Sequence, residues 1–184
     1  MSRAFVDEDS GSDEADDLAE IPLPLPPGSR NYMTPEGASR LSAELRELSE
    51  RELPKARAAL ASPSQDDPAS AIRRVSMIER RLSYLGRMEA LLEVVQEPAS
   101  AERVVFGLSV RVADADGTEK AYRIVGADES DPDKGLLSWA SPIARSLIGK
   151  RVGDIAVAAL PGGQRRMRVL EIAVAGGAGR APRS

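Results

Sequence analysis

The sequence predicts an α+β chain, with an antiparallel α-helical coiled-coil hairpin at residues 32–97 and a small antiparallel β-sheet domain with one helix at 98–175. Three observations lead to this fold class. Apolar residues recur every three or four positions as far as Leu92, which is the period of one helix face. A segment with two prolines, residues 61–70, interrupts this pattern. After Pro98 the apolar period becomes two, which is typical of strands.

The first helix of the hairpin has a clear start. Thr34 is a good N-cap and Pro35 suits the first helical position. Leucines then recur at spacings of four and three, flanked by Arg and Glu, at Leu41, Leu45 and Leu48. Pro54 lies inside the pattern and has no N–H to donate, so it predicts a kink or a local unwinding.

The second helix has the stronger apolar stripe. Its members follow coiled-coil spacing and are Val75, Ile78, Leu82, Leu85, Met88 and Leu92. Two helices of similar length on either side of one short tip, residues 61–70, are expected to fold back as an antiparallel hairpin. An ordinary helical bundle is the alternative. The hairpin is favoured because the sequence offers no third amphipathic helix of comparable length to complete a bundle.

The C-terminal half alternates between apolar and polar residues. Five strands are predicted, at Val104–Val112, Tyr122–Val125, Leu136–Trp139, Ile155–Leu160 and Met167–Val174. The segments Asp114–Gly117 and Pro161–Gly163 supply hairpin turns. One short helix begins with Ser141 as N-cap and Pro142 at its first position, and ends before Gly149.

Both ends of the chain differ from this body in composition. Residues 1–31 are predicted to be a disordered leader, with eight acidic residues in the first twenty followed by a proline-rich run. Ile21, Leu23 and Leu25 alternate with prolines, which is consistent with a semi-rigid linker or with docking in a groove. Residues 176–184 are predicted to be a flexible tail.

The composition excludes several classes of function. The chain has no cysteine and no histidine, so disulfides, thiolate nucleophiles, zinc sites with those ligands and Ser-His-Asp catalysis are ruled out. Any metal is expected to be a hard ion held by carboxylates, with Mg²⁺ the best fit. Aromatic residues make up only 3% of the chain, which argues against a base-stacking platform. No apolar run is long enough for a membrane span, and the acidic N-terminus does not resemble a signal peptide.

Three stretches together resemble one family over about residues 32–174. Residues 32–37 read Tyr-Met-Thr-Pro-Glu-Gly, and residues 122–126 read Tyr-Arg-Ile-Val-Gly. The most specific stretch, residues 141–154, reads Ser-Pro-Ile-Ala-Arg-Ser-Leu-Ile-Gly-Lys-Arg-Val-Gly-Asp. On these motifs the chain resembles the GreA/GreB family of bacterial transcript-cleavage factors, which bind RNA polymerase.

The resemblance implies how the two parts divide their roles. The sheet domain would have a fold like that of FK506-binding proteins and would dock on the rim of the secondary channel of RNA polymerase. The coiled-coil arm would enter the channel, so that acidic residues at its tip help to hold a Mg²⁺ shared with the polymerase and act on the nascent RNA 3′ end. The implied tip residues are Asp66 and Asp67, and the implied polymerase-binding residues are Trp139, Ser141, Pro142 and Arg145.

The resemblance further implies a cytoplasmic, monomeric accessory factor with no intrinsic cofactor. Such a factor is not an enzyme itself, because it stimulates cleavage by the polymerase's own active centre. The partner implied is bacterial RNA polymerase, with no membrane partner.

The tip departs from the family pattern. Cleaving members carry an Asp and a Glu three residues apart, whereas Asp66 and Asp67 are adjacent here and no Glu follows in the loop. Counted from Pro54 to Ile78, the arm is shorter than the family pattern by about a heptad. Shared between two helices, this shortens the reach of the arm by roughly 5 Å. Asp-Asp-Pro is also ordinary turn chemistry. The tip therefore fits either a factor that stimulates transcript cleavage or a regulator that occupies the channel without causing cleavage.

Three functional classes remain open from the sequence. The first is a factor that rescues backtracked polymerase by stimulating transcript cleavage. The second is a non-cleaving Gre-like regulator or inhibitor, which includes the short-armed relatives named as regulators of nucleoside diphosphate kinase. The third is a peptidyl-prolyl isomerase, suggested by fold analogy alone. Such an enzyme needs an apolar, aromatic-lined pocket, and this domain offers only Phe106, Tyr122 and Trp139.

Overall fold

The computed structural model describes residues 20–61 and 68–174. The chain divides into two compact units. The first, called the helical unit, comprises Met1–Leu23 and Ser42–Ala90, and the second, called the sheet unit, comprises Pro24–Leu41 and Leu91–Ser184. The sheet unit therefore includes residues that the sequence analysis assigned to the leader and to the first helix.

The helical segments match the predicted period. Helix α1 spans Pro35–Glu47, a π-helical turn spans Leu48–Glu52, helix α2 spans Leu53–Ala61 and helix α3 spans Pro68–Ala90. The predicted break at residues 61–70 is narrower in the described chain, since Ala61 is helical and α3 begins at Pro68, and its residues 62–67 lie outside the described residues. The apolar stripe ends earlier than expected, because Leu92 lies in a strand. Asp66 and Asp67 lie outside the described residues.

Pro54 accounts for the π-helical turn. The ring nitrogen of proline cannot donate the hydrogen bond that a helix expects at that position. The preceding backbone widens instead, and the Leu53 N–H donates to the carbonyl of Leu48, five residues back. A single wide turn inside an α-helix is the form in which π-helical geometry mostly occurs. The predicted local unwinding at Pro54 is confirmed.

Ion pairs join the segment 44–57 to helix α3. Arg81 contacts Glu44 at 2.7 Å, and Arg74 contacts Glu52 at 3.1 Å. A third pair, between Arg57 and Glu79, has an N–O distance of 2.6 Å. These side chains are largely exposed, so each pair is expected to contribute only about 0.2–1 kcal/mol. Burial of apolar side chains is expected to contribute more to the stability of these helices than the ion pairs do. The buried residues are Ala56, Ile78, Tyr84, Leu85 and Met88.

The main sheet of the sheet unit has five strands in the order β5-β4-β3-β7-β6. They span Ser109–Asp114 (β3), Glu119–Val125 (β4), Leu136–Ser138 (β5), Ile155–Leu160 (β6) and Gly163–Ala173 (β7). The prediction of a purely antiparallel sheet is wrong, because β5 runs parallel to β4. A connection through two short 3₁₀ helices, Ala127–Glu129 and Pro132–Lys134, brings the chain back to start β5 in that direction.

A second, two-stranded sheet was not expected from the sequence. Strand β1 (Asn31–Met33) pairs in parallel with strand β2 (Leu92–Val94). Both lie in segments that the sequence analysis gave to the leader and the arm. Three residues are too few for an alternating pattern to stand out, which is why only the pairing reveals them.

The core lies between the main sheet and one short helix. Helix α4 spans Pro142–Leu147, and its Ala144 and Leu147 are fully buried against inward-facing residues of the strands. The hairpin turns occur where predicted, and Gly117 has a φ of 85°, which favours glycine. No helix among the described residues has the length and apolar character that a membrane crossing requires.

The described part of the leader is not isolated from the helical unit. Arg87 of α3 donates to the carboxylate of Glu20 at 2.9 Å and to the carbonyl oxygen of Ile21. Ile21, Leu23 and Leu25 are each half-buried, whereas Pro22 and Pro24 between them are exposed. Residues 1–19 of the predicted disordered leader, and the predicted tail at 176–184, lie outside the described residues.

Candidate functional site

The start of helix α4 is fixed by local hydrogen bonds. The Ser141 hydroxyl accepts from the backbone N–H of Ala144 at 3.2 Å, which confirms the predicted N-cap. The Ser141 N–H in turn donates to the carbonyl of Ser138 at 2.9 Å, where strand β5 ends. Pro142 occupies the first helical position as predicted. The turn between strand and helix is therefore well defined.

Two of the predicted binding residues lie together on the outer side of α4. Pro142 and Arg145 are exposed and three positions apart, so they share one helix face. Ala144 and Leu147 on the opposite face have no exposed surface and hold the helix on the core. The Arg145 guanidinium has no hydrogen-bond partner among the described residues. The surface formed by Ser141, Pro142 and Arg145 is thus rigidly supported and available.

Trp139, one of the polymerase-binding residues that the resemblance implied, is not openly exposed. Its ring is half-buried, packs against the core and meets the Tyr32 ring edge-on, with centroids 5.4 Å apart and an interplanar angle of 80°. Its backbone N–H donates to the carbonyl of Val125 at 2.9 Å. The indole nitrogen is buried without a hydrogen-bond partner among the described residues. Trp139 therefore supports the adjoining turn rather than presenting an open ring.

Sequence reasoning missed Glu129, whose buried carboxylate caps helix α1. The carboxylate accepts from the Thr34 N–H at 2.9 Å, from the Thr34 hydroxyl and from the Gly126 N–H at 3.0 Å. Thr34 in turn caps the helix in the predicted way, since its hydroxyl accepts from the Gly37 N–H at 3.0 Å. Arg40 adds an ion pair at 3.4 Å. A carboxylate at a helix N-terminus also interacts favourably with the helix dipole.

Glycine at position 37 is required by the approach of Glu129. A Cβ at Gly37 would overlap the carboxyl group of Glu129, which is only 3% exposed. A Cβ at Gly126 would likewise lie 2.6 Å from a Glu129 carboxylate oxygen and 2.8 Å from the Tyr32 carbonyl oxygen. The signal in the sequence was Gly37 itself, because an early helical position favours almost any other residue.

A second buried polar contact ties strand β7 to the β3–β4 hairpin. Arg165 donates two hydrogen bonds to the Asp114 carboxylate, at 2.8 and 2.7 Å, and one to the Tyr122 hydroxyl at 3.0 Å. The hydrogen bonds from Arg165 lower the pKa of Asp114, and those to Asp114 raise the pKa of Arg165. Both side chains are about four-fifths buried, at 19% and 21% exposure, so solvent screens the pair only in part.

We expect the Asp114→Asn variant to lose about 2 kcal/mol of unfolding free energy near neutral pH. The lowered pKa of Asp114 means that this contribution is fully present above about pH 4 and is lost as the pH falls through the folded-state value. The measurement is denaturant unfolding of wild type and variant across that range, with exposed Asp133→Asn as control. A gap between wild type and Asp114→Asn that persists below the folded-state pKa would contradict the assignment.

The described residues contain no cluster of three or more carboxylates that could hold a metal. The predicted tip ligands Asp66 and Asp67 lie outside that part of the chain. Their two carboxylates are a donor set that suits Mg²⁺, which usually takes one or two protein carboxylates together with other oxygen ligands.

Comparison with known proteins shows the family to which this chain is similar. Residues 99–174 match the family model described as transcription elongation factor, GreA/GreB, C-term. The chain is 38% identical over 158 residues to transcription elongation factor GreB of Xanthomonas axonopodis pv. citri, covering 80% of this chain and 94% of the relative. The chain belongs to the GreA/GreB family.

The similarity of this Gre-family chain reaches beyond the matched C-terminal model. It is also 38% identical over 149 residues to transcription elongation factor GreA of Hyphomonas neptunium, which covers 76% of the chain and 95% of that relative. Among solved structures, the Gfh1 protein of Thermus thermophilus, described as GreA factor homolog 1, has 28% identity and a TM-score of 0.36, with 78% of this chain and 98% of Gfh1 covered.

Proposed function

We propose that this Gre-family chain binds bacterial RNA polymerase and acts on transcription elongation through the secondary channel. The observation that carries the proposal is 38% identity to GreB over 94% of that elongation factor. The surface at Ser141, Pro142 and Arg145, where the last two residues are exposed, supports it, because this surface lies in the most specific of the family motifs. The sheet unit would provide docking through a fold like that of FK506-binding proteins.

The helical unit would form the coiled-coil arm that enters the channel. Two observations support an antiparallel hairpin. The ion pairs Glu44–Arg81 and Glu52–Arg74 match increasing positions in the first segment with decreasing positions in α3. Residues Ile78, Leu85 and Met88 are buried at the spacing of a coiled-coil seam. The tip between α2 and α3 would then carry Asp66 and Asp67 to the polymerase active centre.

Asp66 and Asp67 would supply carboxylate oxygens to a Mg²⁺ shared with the polymerase. When bound, such a metal stabilises the attacking and leaving oxygens of phosphodiester cleavage. The chain itself would contribute the carboxylates and their placement, while the polymerase would cut its own transcript. In this proposal the factor is a cytoplasmic monomer with no cofactor and no active site of its own.

A second candidate function is regulation of the channel without cleavage. The adjacent positions of Asp66 and Asp67 favour this second function. Two neighbouring residues place their carboxylates differently from the Asp and Glu three residues apart that the family resemblance implies for cleaving members. Occupancy of the channel by the arm would then slow or tune elongation. The two candidates are separated by adding the full chain to stalled, backtracked elongation complexes. Shortened transcripts indicate stimulated cleavage, and slower extension without shortening indicates inhibition.

We expect the Pro142→Glu variant to bind RNA polymerase at least tenfold more weakly than wild type. Pro142 is exposed at the first turn of α4, so a charge there meets the docking partner without disturbing the core. The same change at Pro161, an exposed proline of the β6–β7 turn, is the matched control and is expected to leave affinity unchanged. Equal affinity of Pro142→Glu and wild type in a sedimentation or pull-down titration with purified polymerase would exclude this surface.

A further inference from the structure

The outer face of the main sheet carries a groove that the proposed docking at α4 does not use. The groove has a volume of about 310 Å³ and lies between the β3–β4 hairpin and strands β6 and β7. Its lining includes Ala113, Ile155, Arg166 and Arg168, together with Asp114, whose carboxylate is held by Arg165. Strand β6 is the edge of the five-stranded sheet on this side. An extended segment can therefore lie along the groove against an accessible strand.

Arg166 and Arg168 differ from the other arginines of these strands. Arg111 is held by Glu119 and Glu171, Arg123 by Glu97 and Arg165 by Asp114, so four carboxylates neutralise these three positive charges. Arg166 and Arg168 are exposed, and their guanidinium groups make no hydrogen bond or ion pair with a described residue. They lie two positions apart on one strand, so they point to the same face about 7 Å apart. Two unneutralised guanidinium groups at this spacing match two carboxylates on alternate residues of an extended chain.

Apolar residues on the neighbouring strand indicate what kind of anion fits. Ile155 pairs with Arg168 and Val157 with Arg166, and these two apolar side chains are 42% and 45% exposed. A phosphate backbone offers no apolar surface to cover them, whereas a peptide offers both carboxylates and apolar side chains. Protein interfaces are enriched in arginine and depleted of lysine, and the basic residues that line this groove are both arginines.

We propose that this groove is a second docking surface, which binds an extended acidic segment of RNA polymerase. The proposal rests on the function proposed above and adds a partner chemistry to it. Carboxylates on alternate residues of the segment pair with Arg166 and Arg168, and apolar side chains next to them cover Ile155 and Val157. Because each pair is partly exposed, its strength is expected to fall as salt rises.

The test compares single substitutions in the full chain by titration with purified RNA polymerase at several salt concentrations. Arg166→Glu and Arg168→Glu are each expected to weaken binding about tenfold and to reduce its dependence on salt. Arg30→Glu makes the same charge change at an exposed arginine outside the groove and is expected to have little effect. Val157→Ser is expected to weaken binding several-fold with the salt dependence unchanged. All four positions are exposed, and thermal unfolding verifies that each variant folds.

The outcomes separate this proposal from the function on which it rests. If Pro142→Glu weakens polymerase binding but Arg166→Glu and Arg168→Glu do not, the groove proposal is wrong and the proposed function stands. If the wild-type chain does not bind polymerase, both are wrong. If the arginine variants lose affinity for a single-stranded RNA oligonucleotide and keep their affinity for polymerase, the groove binds nucleic acid and the proposal is overturned.

Discussion

Replacing Gly37 with alanine is expected to destabilise the protein by about 3 kcal/mol, although alanine is the better helix former. The new methyl group would overlap the Glu129 carboxyl group, which is buried and held by the Thr34 and Gly126 N–H groups. Moving the carboxylate would leave buried donors without partners, at about 1–3 kcal/mol for each. This loss exceeds the gain of about 1 kcal/mol that alanine brings within a helix.

Gly86 provides a matched control for this prediction. It lies inside helix α3, and a Cβ there meets nothing within 4 Å. Gly86→Ala is therefore expected to stabilise the protein by up to about 1 kcal/mol. Denaturant unfolding of both variants, and of Gly37→Ala in a Glu129→Ala background, tests the reason as well as the sign. If the alanine at position 37 remains equally harmful without the Glu129 carboxylate, the proposed overlap is not the cause.

The Asp66→Asn/Asp67→Asn double variant is expected to reduce any stimulation of transcript cleavage by orders of magnitude. Asparagine keeps the turn propensity of the tip but removes the charge that would attract Mg²⁺. Affinity for RNA polymerase is expected to change little, because docking is assigned to the sheet unit. If the factor is an inhibitor, the same substitutions are expected to relieve inhibition.

The control for the tip is the Glu50→Gln/Glu89→Gln double variant, which removes the same charge from exposed positions on the helical segments. It is expected to behave as wild type in cleavage and in binding. If the Asp66→Asn/Asp67→Asn variant also matches wild type in both assays, the two acids are turn residues and the arm acts by occupying space in the channel.

The sequence was sufficient for features that depend on local chemistry. Pro54 disturbs any helix that contains it, and Ser141 with Pro142 starts a helix wherever the following residues favour one, so both predictions were confirmed. The strand Ile155–Leu160 was predicted with its observed bounds because it is a short, wholly apolar run that begins after Asp154 and is followed at once by the turn at Pro161. Local patterns of this kind do not depend on distant parts of the chain.

Features that depend on distant residues were missed. Glu129 caps a helix that begins at Pro35, far away in the chain, so its local sequence gives no sign of that role. The parallel pairing of β1 with β2 and of β4 with β5 likewise joins segments whose own patterns do not specify a direction. The unpaired state of Arg166 and Arg168 is visible only once the partners of Arg111, Arg123 and Arg165 are known.

The most direct test of polymerase binding through the start of α4 is site-specific photo-crosslinking. A photoreactive amino acid is placed at position 142 of the full chain, or at position 161 as control, and the protein is mixed with purified bacterial RNA polymerase. A crosslink to a polymerase subunit is expected from position 142, where excess wild-type chain competes it away, and no crosslink is expected from position 161. Binding of the chain to polymerase with no crosslink from position 142, or with a crosslink from position 161 alone, would contradict this expectation.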